Sequence, residues 1–179
     1  LLPPQKTRDW TAHPPDVFAF GVSYTEDVTE RGRKNLMSIF TSTELDYLQK
    51  QRLGRLATVD KEGNPHIVPV GFRYNSATDT IDIGGHNIAQ SSKWGDAGRH
   101  ARVAFVVDDV LPPWQPRSII IQADTELLES GGEEFGHGFD PQVMRLHPVK
   151  IIAWGIDEQR QSRTVKHGEP NASQNHVIV

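Results

Sequence analysis

The sequence predicts a mainly β domain: a small antiparallel barrel of six or seven strands with Greek-key-like connections and a few short helices. Two observations carry this expectation. Short runs that alternate apolar and polar residues, or read as continuous apolar strands, recur between clusters of turn-formers. No βαβ rhythm separates them, and the GxGxxG pattern of a dinucleotide-binding turn is absent.

Taken in order, residues 1 to 35 hold Pro3, Pro4, Pro14 and Pro15, which oppose regular structure, while Phe18, Phe20, Val22 and Tyr24 alternate as in a strand. The segment reads either as an arm docked on the barrel or a partner subunit, or as a mobile tail. Thr41-Ser-Thr-Glu44 is a capping-box pattern opening a helix whose Leu45, Leu48 and Leu53 face inward. Leu56–Val59 and Ile67–Phe72 form a hairpin across Lys61-Glu62-Gly63-Asn64, and Thr80–Gly84 follows the turn Asn75–Asp79 as the third strand of a meander. A short helix weakened by Gly95 and Gly98 precedes a strand from Arg102 to Val107, ended by Asp108-Asp109. Val110–Pro116 is a proline-stiffened loop carrying Trp114, and Ser118–Leu128 is a long strand. Residues 129 to 141 form a glycine-rich lid or a long surface excursion, and Val143–Ile156 resumes strand character around Pro148. The organisation expected is an arm over residues 1–39, a barrel domain over 40–157 and a polar tail over 158–179.

Bulk properties narrow the class. The chain has 179 residues, room for one domain with a real core, and no apolar run approaches the ~20 residues of a membrane helix. Cysteine is absent, which removes thiolate metal sites, disulfides and cysteine nucleophiles, and is compatible with a reducing compartment. Nothing at the start reads as an export signal, so a cytoplasmic location is expected. Nineteen basic against 23 acidic residues give a net charge of −4 with no basic stripe, which argues against nucleic acid as a partner. The eight histidines are scattered rather than set at metal-ligand spacing, and no metal site is expected.

The chemistry concentrates after the third strand. Gly84-Gly85-His86-Asn87 permits close backbone approach. Ser91-Ser92-Lys93 then sets two hydroxyls and an ammonium at a helix start, where free N–H groups favour an anion. From the residues alone two readings stand, a phosphate corner or an ordinary cap with a solvated lysine.

The order Pro65-His66-Ile-Val-Pro-Val-Gly-Phe72, Ile81-Asp-Ile-Gly-Gly-His-Asn87, Ser91-Ser-Lys93 and Arg102-Val-Ala-Phe-Val-Val-Asp-Asp109 resembles the pyridoxamine 5'-phosphate oxidase-like split-barrel superfamily. Within it, the wording is similar to that of actinobacterial coenzyme F420 (deazaflavin)-dependent oxidoreductases, over residues 40 to 157. The resemblance implies a homodimeric split barrel with its cofactor sites across the subunit interface. It implies that His66, Val68, Pro69 and Val70 line the ring system and that Gly85, His86 and Asn87 flank the ring or ribityl chain. Ser91, Ser92 and Lys93 would hold the phosphate. Trp154 would reach the cofactor or substrate from the second subunit, or else pack in the core. His66 and His86 are binding candidates, with His86 also a candidate proton donor; each can equally be structural.

Two departures stand out. The corner has Ser92 where relatives carry Lys or Arg, and the long strand has Gln122-Ala123 where Arg-Gly is expected, so Arg52, Arg55 or Arg73 would have to supply the missing charge. The expected function is F420-dependent hydride transfer to an activated C=C or C=N bond of a small organic substrate, of the kind met in tetracycline biosynthesis. FMN is the alternative cofactor, and non-catalytic binding of a cofactor, tetrapyrrole or lipid is the alternative outside enzymes.

Overall fold

A computed structural model describes residues 38–157 and 161–165. The alternating apolar run at residues 18 to 24, the rest of the amino-terminal arm up to residue 37 and most of the segment after 157 lie outside the described residues. The described part is an eight-stranded, wholly antiparallel sheet with two α-helices, in the strand order β2-β1-β5-β6-β7-β4-β3, with β8 paired to β7.

Helix α1 (Ser42–Lys50) begins as its sequence dictates: Thr41 accepts from the Glu44 amide, and the Glu44 carboxylate accepts from the Thr41 amide. Tyr47 and Leu48 are buried, and Leu45 packs at the edge of the core. Leu53 departs from the expectation, because the helix stops at Lys50 and Leu53 opens β1 with 60% of its surface exposed.

Strands β1 (Leu53–Val59) and β2 (Pro65–Gly71) form the expected hairpin, turned at Gly63 with φ +88°. The expected meander stops there. After the bend at Phe72 the chain adds β3 (Arg73–Asn75), which pairs with β4 (Thr80–Ile83), and β4 pairs with β7 rather than β2. Consecutive strands β2 and β3 therefore sit at opposite ends of the strand order, which curls the sheet into a half-barrel. Helix α2 (Ser92–Arg99) follows and is short, as its two glycines require.

Strand β5 (Arg102–Leu111) runs past Asp108-Asp109, and β6 (Gln115–Leu128) starts before the expected position. Most of the anticipated proline loop is strand: the turn is confined to residues 112–114, and the hairpin arms pair from Leu111–Gln115 inward. Trp114 stands at its tip, 76% exposed. Strand β7 (Val143–Trp154) pairs along β6 with one extra residue, Val149, between Pro148 and Lys150. The bulge absorbs a proline that cannot donate to the ladder. Strand β8 (Gln161–Thr164) falls inside the expected polar tail. It carries no apolar signal and is held by pairing with β7 and by Arg163, which grips the buried Glu44 carboxylate and the Ile39 carbonyl.

The core is one cluster in which Phe40, Leu56, Phe105, Ile119, Ile121, Met144 and Ile151 are fully buried. Two edge-to-face aromatic pairs, Phe72–Phe105 and Phe40–Tyr74, lie in or beside it.

Candidate functional site

Strand alternation divides the expected ring-lining residues of β2. His66, Val68 and Val70 are paired with the buried Thr58, Leu56 and Gly54, so they share the inner face; Pro69, opposite the exposed Arg55, lies on the outer one. On the outer face Ile67 is 66% exposed and Leu53 stands across from Gly71. Gln122, also exposed, is paired between Ala104 and Lys150. Trp154, half-buried, lies at the end of β7 opposite Ser118. It does not enter the core cluster.

The inner-face group is tied to the Ser91–Lys93 corner. The His66 Nδ1 lies 3.1 Å from the Asp96 carboxylate, and Asp96 sits one helical turn after Lys93 in α2. Asp96 is 2% exposed and also accepts from Thr58 Oγ1 at 2.9 Å and Arg99 Nη2 at 2.7 Å. Burial alone would raise this carboxyl, but the hydrogen bonds from Thr58, His66 and Arg99 outweigh it and hold it below the usual carboxylate range.

At the corner itself, Ser91 is the N-cap residue of α2 but makes no side-chain cap; its hydroxyl donates to the Ile88 carbonyl at 2.6 Å. Ser92 is exposed at the first helical position. Burial lowers the Lys93 ammonium below its ordinary value, and among the described residues no ion pair involves it. A partly desolvated lysine beside a hydroxyl and uncapped helix-start amides is donor chemistry that fits a phosphate.

The glycine segment has a different explanation in part. Gly84 is glycine because a Cβ would press on the Phe135 ring at 2.8 Å, and this comes from the chain itself. Gly85 is free of such contact and Asn87 adopts a left-handed conformation at φ +52°. The segment 131–141 folds onto this stretch rather than away from it. The Asp140 amide donates to the Gly85 carbonyl at 3.1 Å, and its carboxylate accepts from the Ile88 amide at 3.0 Å. The His86 ring packs against Phe139, with centroids 5.0 Å apart, and Phe139 stacks on Phe135.

Two of the three compensating arginines are committed elsewhere. Arg55 pairs with Asp108, while Arg73 reaches Glu134 and Asp82 and lies over the Phe135 ring. Arg52 enters no ion pair among the described residues. Sequence reasoning missed Asp96 and Asp140. An aspartate on a short polar helix carries no mark of burial, and two of the three Asp96 donors lie 38 and 30 residues away.

This fold has counterparts among known proteins. The chain is 40% identical over 120 residues to a 5a,11a-dehydrotetracycline/5a,11a-dehydrooxytetracycline reductase of Streptomyces rimosus, covering 66% of this chain and 84% of that protein. It shares its fold with a conserved hypothetical protein of Mycobacterium tuberculosis (TM-score 0.53, 17% identity, 65% of this chain and 86% of the other). A heme binding protein of Mycobacterium smegmatis is also similar (TM-score 0.50, 14% identity, 70% and 58%). The family described as pyridoxamine 5'-phosphate oxidase matches residues 40–165, the stretch that holds the half-barrel, α2 and the Ser91–Lys93 corner, and the chain therefore belongs to that family of split barrels.

Proposed function

We propose that this protein is a coenzyme F420-dependent reductase that delivers hydride to an activated C=C or C=N bond of a small polycyclic substrate, of dehydrotetracycline type. Its standing as an oxidoreductase of this family rests on the similarity to a named reductase. The observation that carries the cofactor reading is Lys93, partly desolvated and without a carboxylate partner among the described residues, at the start of α2 beside Ser92. Ser92 and Lys93 bind the cofactor phosphate in this reading. His66, Val68 and Val70 orient the ring from the inner face of β2, with Gly85 and Asn87 alongside. The bound deazaflavin supplies the hydride, and the chain holds it in place and keeps water away.

A second copy of the chain completes the site. The outer face of β1 and β2 exposes Leu53 and Ile67 on either side of Arg55, and Gln122 and Trp154 lie on β6 and β7, beyond β5 in the strand order. In the homodimer of this reading that face is the self-association surface, and Trp154 of one subunit contributes to the site of the other.

FMN is the second reading. Ser92, Gln122 and the committed Arg55 and Arg73 leave few cations for the anionic glutamyl tail of F420, and FMN has no such tail. Titration of the purified protein with F420 and with FMN, followed by fluorescence, decides between them. Turnover of a dehydrotetracycline with reduced F420 is the expected result; micromolar binding of neither cofactor sinks the oxidoreductase mechanism.

A further inference from the structure

His66 is the one candidate site residue with a buried carboxylate behind it. Asp96 accepts from Arg99 on Oδ1 and from Thr58 on Oδ2, and the same Oδ2 lies 3.1 Å from the His66 Nδ1. A carboxylate only accepts, so Nδ1 carries a proton and the ring orientation is fixed. The side chain is 45% exposed, and among the described residues its Nε2 has the Asp60 carboxylate as its charged neighbour, at 3.9 Å, beyond hydrogen-bond distance. Asp60 itself is occupied by the Glu62 and Asn64 amides and the Asn64 side chain. A half-exposed imidazole, oriented from behind by a buried carboxylate and with no hydrogen bond at Nε2 among the described residues, is poised for proton transfer rather than for packing.

We propose that His66 is the proton donor of the reduction and that Asp96 is its positioning residue. The inference rests on the reductase function proposed above and concerns a conjugated carbonyl substrate. Hydride from a reduced deazaflavin adds to the β carbon of the C=C bond, and the π electrons move onto the carbonyl oxygen as an enolate. The imidazolium gives its Nε2 proton to the α carbon as the C=C–O⁻ electrons return, so two hydrogens are added and the ring is left neutral. Water reprotonates it while Asp96 stays ionised. The charged groups around the ring are Asp60 after β1 and Asp96 and Arg99 on α2.

Two variants and two measurements test this. In the cofactor-free protein, long-range ¹H–¹⁵N spectra of the His66 ring are expected to show a protonated Nδ1 in wild type that is perturbed in Asp96→Asn. A neutral ring protonated at Nε2 in wild type, or an unperturbed spectrum in the variant, overturns the proposal. Asp96→Asn removes the acceptor that fixes the ring orientation and should lower kcat. His66→Gln, at a half-exposed position that does not threaten folding, should lower kcat by ~100-fold or more. An unchanged kcat overturns the donor role. Absence of any turnover in wild type, with the Nδ1 signature intact, overturns the reductase function and the donor role with it, and leaves the His66–Asp96 pair as a structural feature.

Discussion

Arg145 of β7 clamps Asp82 of β4 with two parallel hydrogen bonds, Nε to Oδ1 at 2.8 Å and Nη2 to Oδ2 at 3.0 Å, although Asp82 has no solvent exposure at all. Asn75 and Arg73 complete the carboxylate's surroundings. The pair joins the β3–β4 hairpin to the main sheet at the register Asp82↔Arg145.

Removing one partner should therefore cost far more than the pair itself is worth. Arg145→Met leaves an under-compensated buried charge and should destabilise the fold by about 3–5 kcal/mol. The double variant Asp82→Asn/Arg145→Met should recover much of that loss. Urea unfolding measures both, and a single variant within ~1 kcal/mol of wild type contradicts the clamp.

Acid should weaken the protein in a defined window. For Asp82 burial pushes the carboxyl up, but Arg145 and Asn75 bring it below the ordinary carboxylate value; for Asp109 the Arg117 guanidinium, bonded at 2.9 and 2.6 Å, does the same. A depressed folded-state value means that the unfolded chain binds more protons, so stability rises with pH through that range. The contribution is complete above the unfolded value and disappears as pH falls through the folded ones, below 3.8. Urea midpoints taken at pH 6, about 4 and about 3 should hold and then drop steeply; a flat profile to the lowest pH is incompatible with these pairs.

Much of this fold is legible in the sequence, and the illegible parts share a cause. The capping box at Thr41–Glu44, the Gly63 turn and the short α2 follow from local chemistry, and the structure has each of them. The pairing of β4 with β7 is not local: Thr80–Ile83 alternates equally well beside β2, and only the bend at Phe72 and the Asp82–Arg145 clamp choose otherwise. For the candidate site, the Ser91–Lys93 corner was visible as a motif. The partner that links His66 to it was not, because Asp96 is buried by strands distant in sequence.

Lys93→Ala should weaken cofactor binding by ~1.5–3 kcal/mol, or about 10- to 150-fold, through loss of a charge-assisted phosphate contact. Lys93→Arg should retain most of the affinity. Fluorescence titration with F420 gives the numbers, and equal affinity in Lys93→Ala and wild type makes the corner purely structural.

Ile67→Lys places a charge in the middle of the exposed outer face of β2. The expected outcome is a shift from dimer to monomer in sedimentation, with the far-ultraviolet spectrum preserved. A wild-type monomer, or a variant whose mass is unaltered, removes this face as the self-association surface.

The tether between Asp140 and the Gly85–Ile88 stretch bears on how such a protein diversifies. The segment 131–141 is the place where length and sequence would ordinarily drift to suit new substrates. Here its end is buttoned to the backbone that leads into the phosphate corner, and its Phe135 occupies the space left by Gly84. A change at Phe139 or Asp140 is therefore transmitted to the Gly85–Ile88 backbone and from there toward Ser91–Lys93, so variation in this segment is not independent of the candidate site.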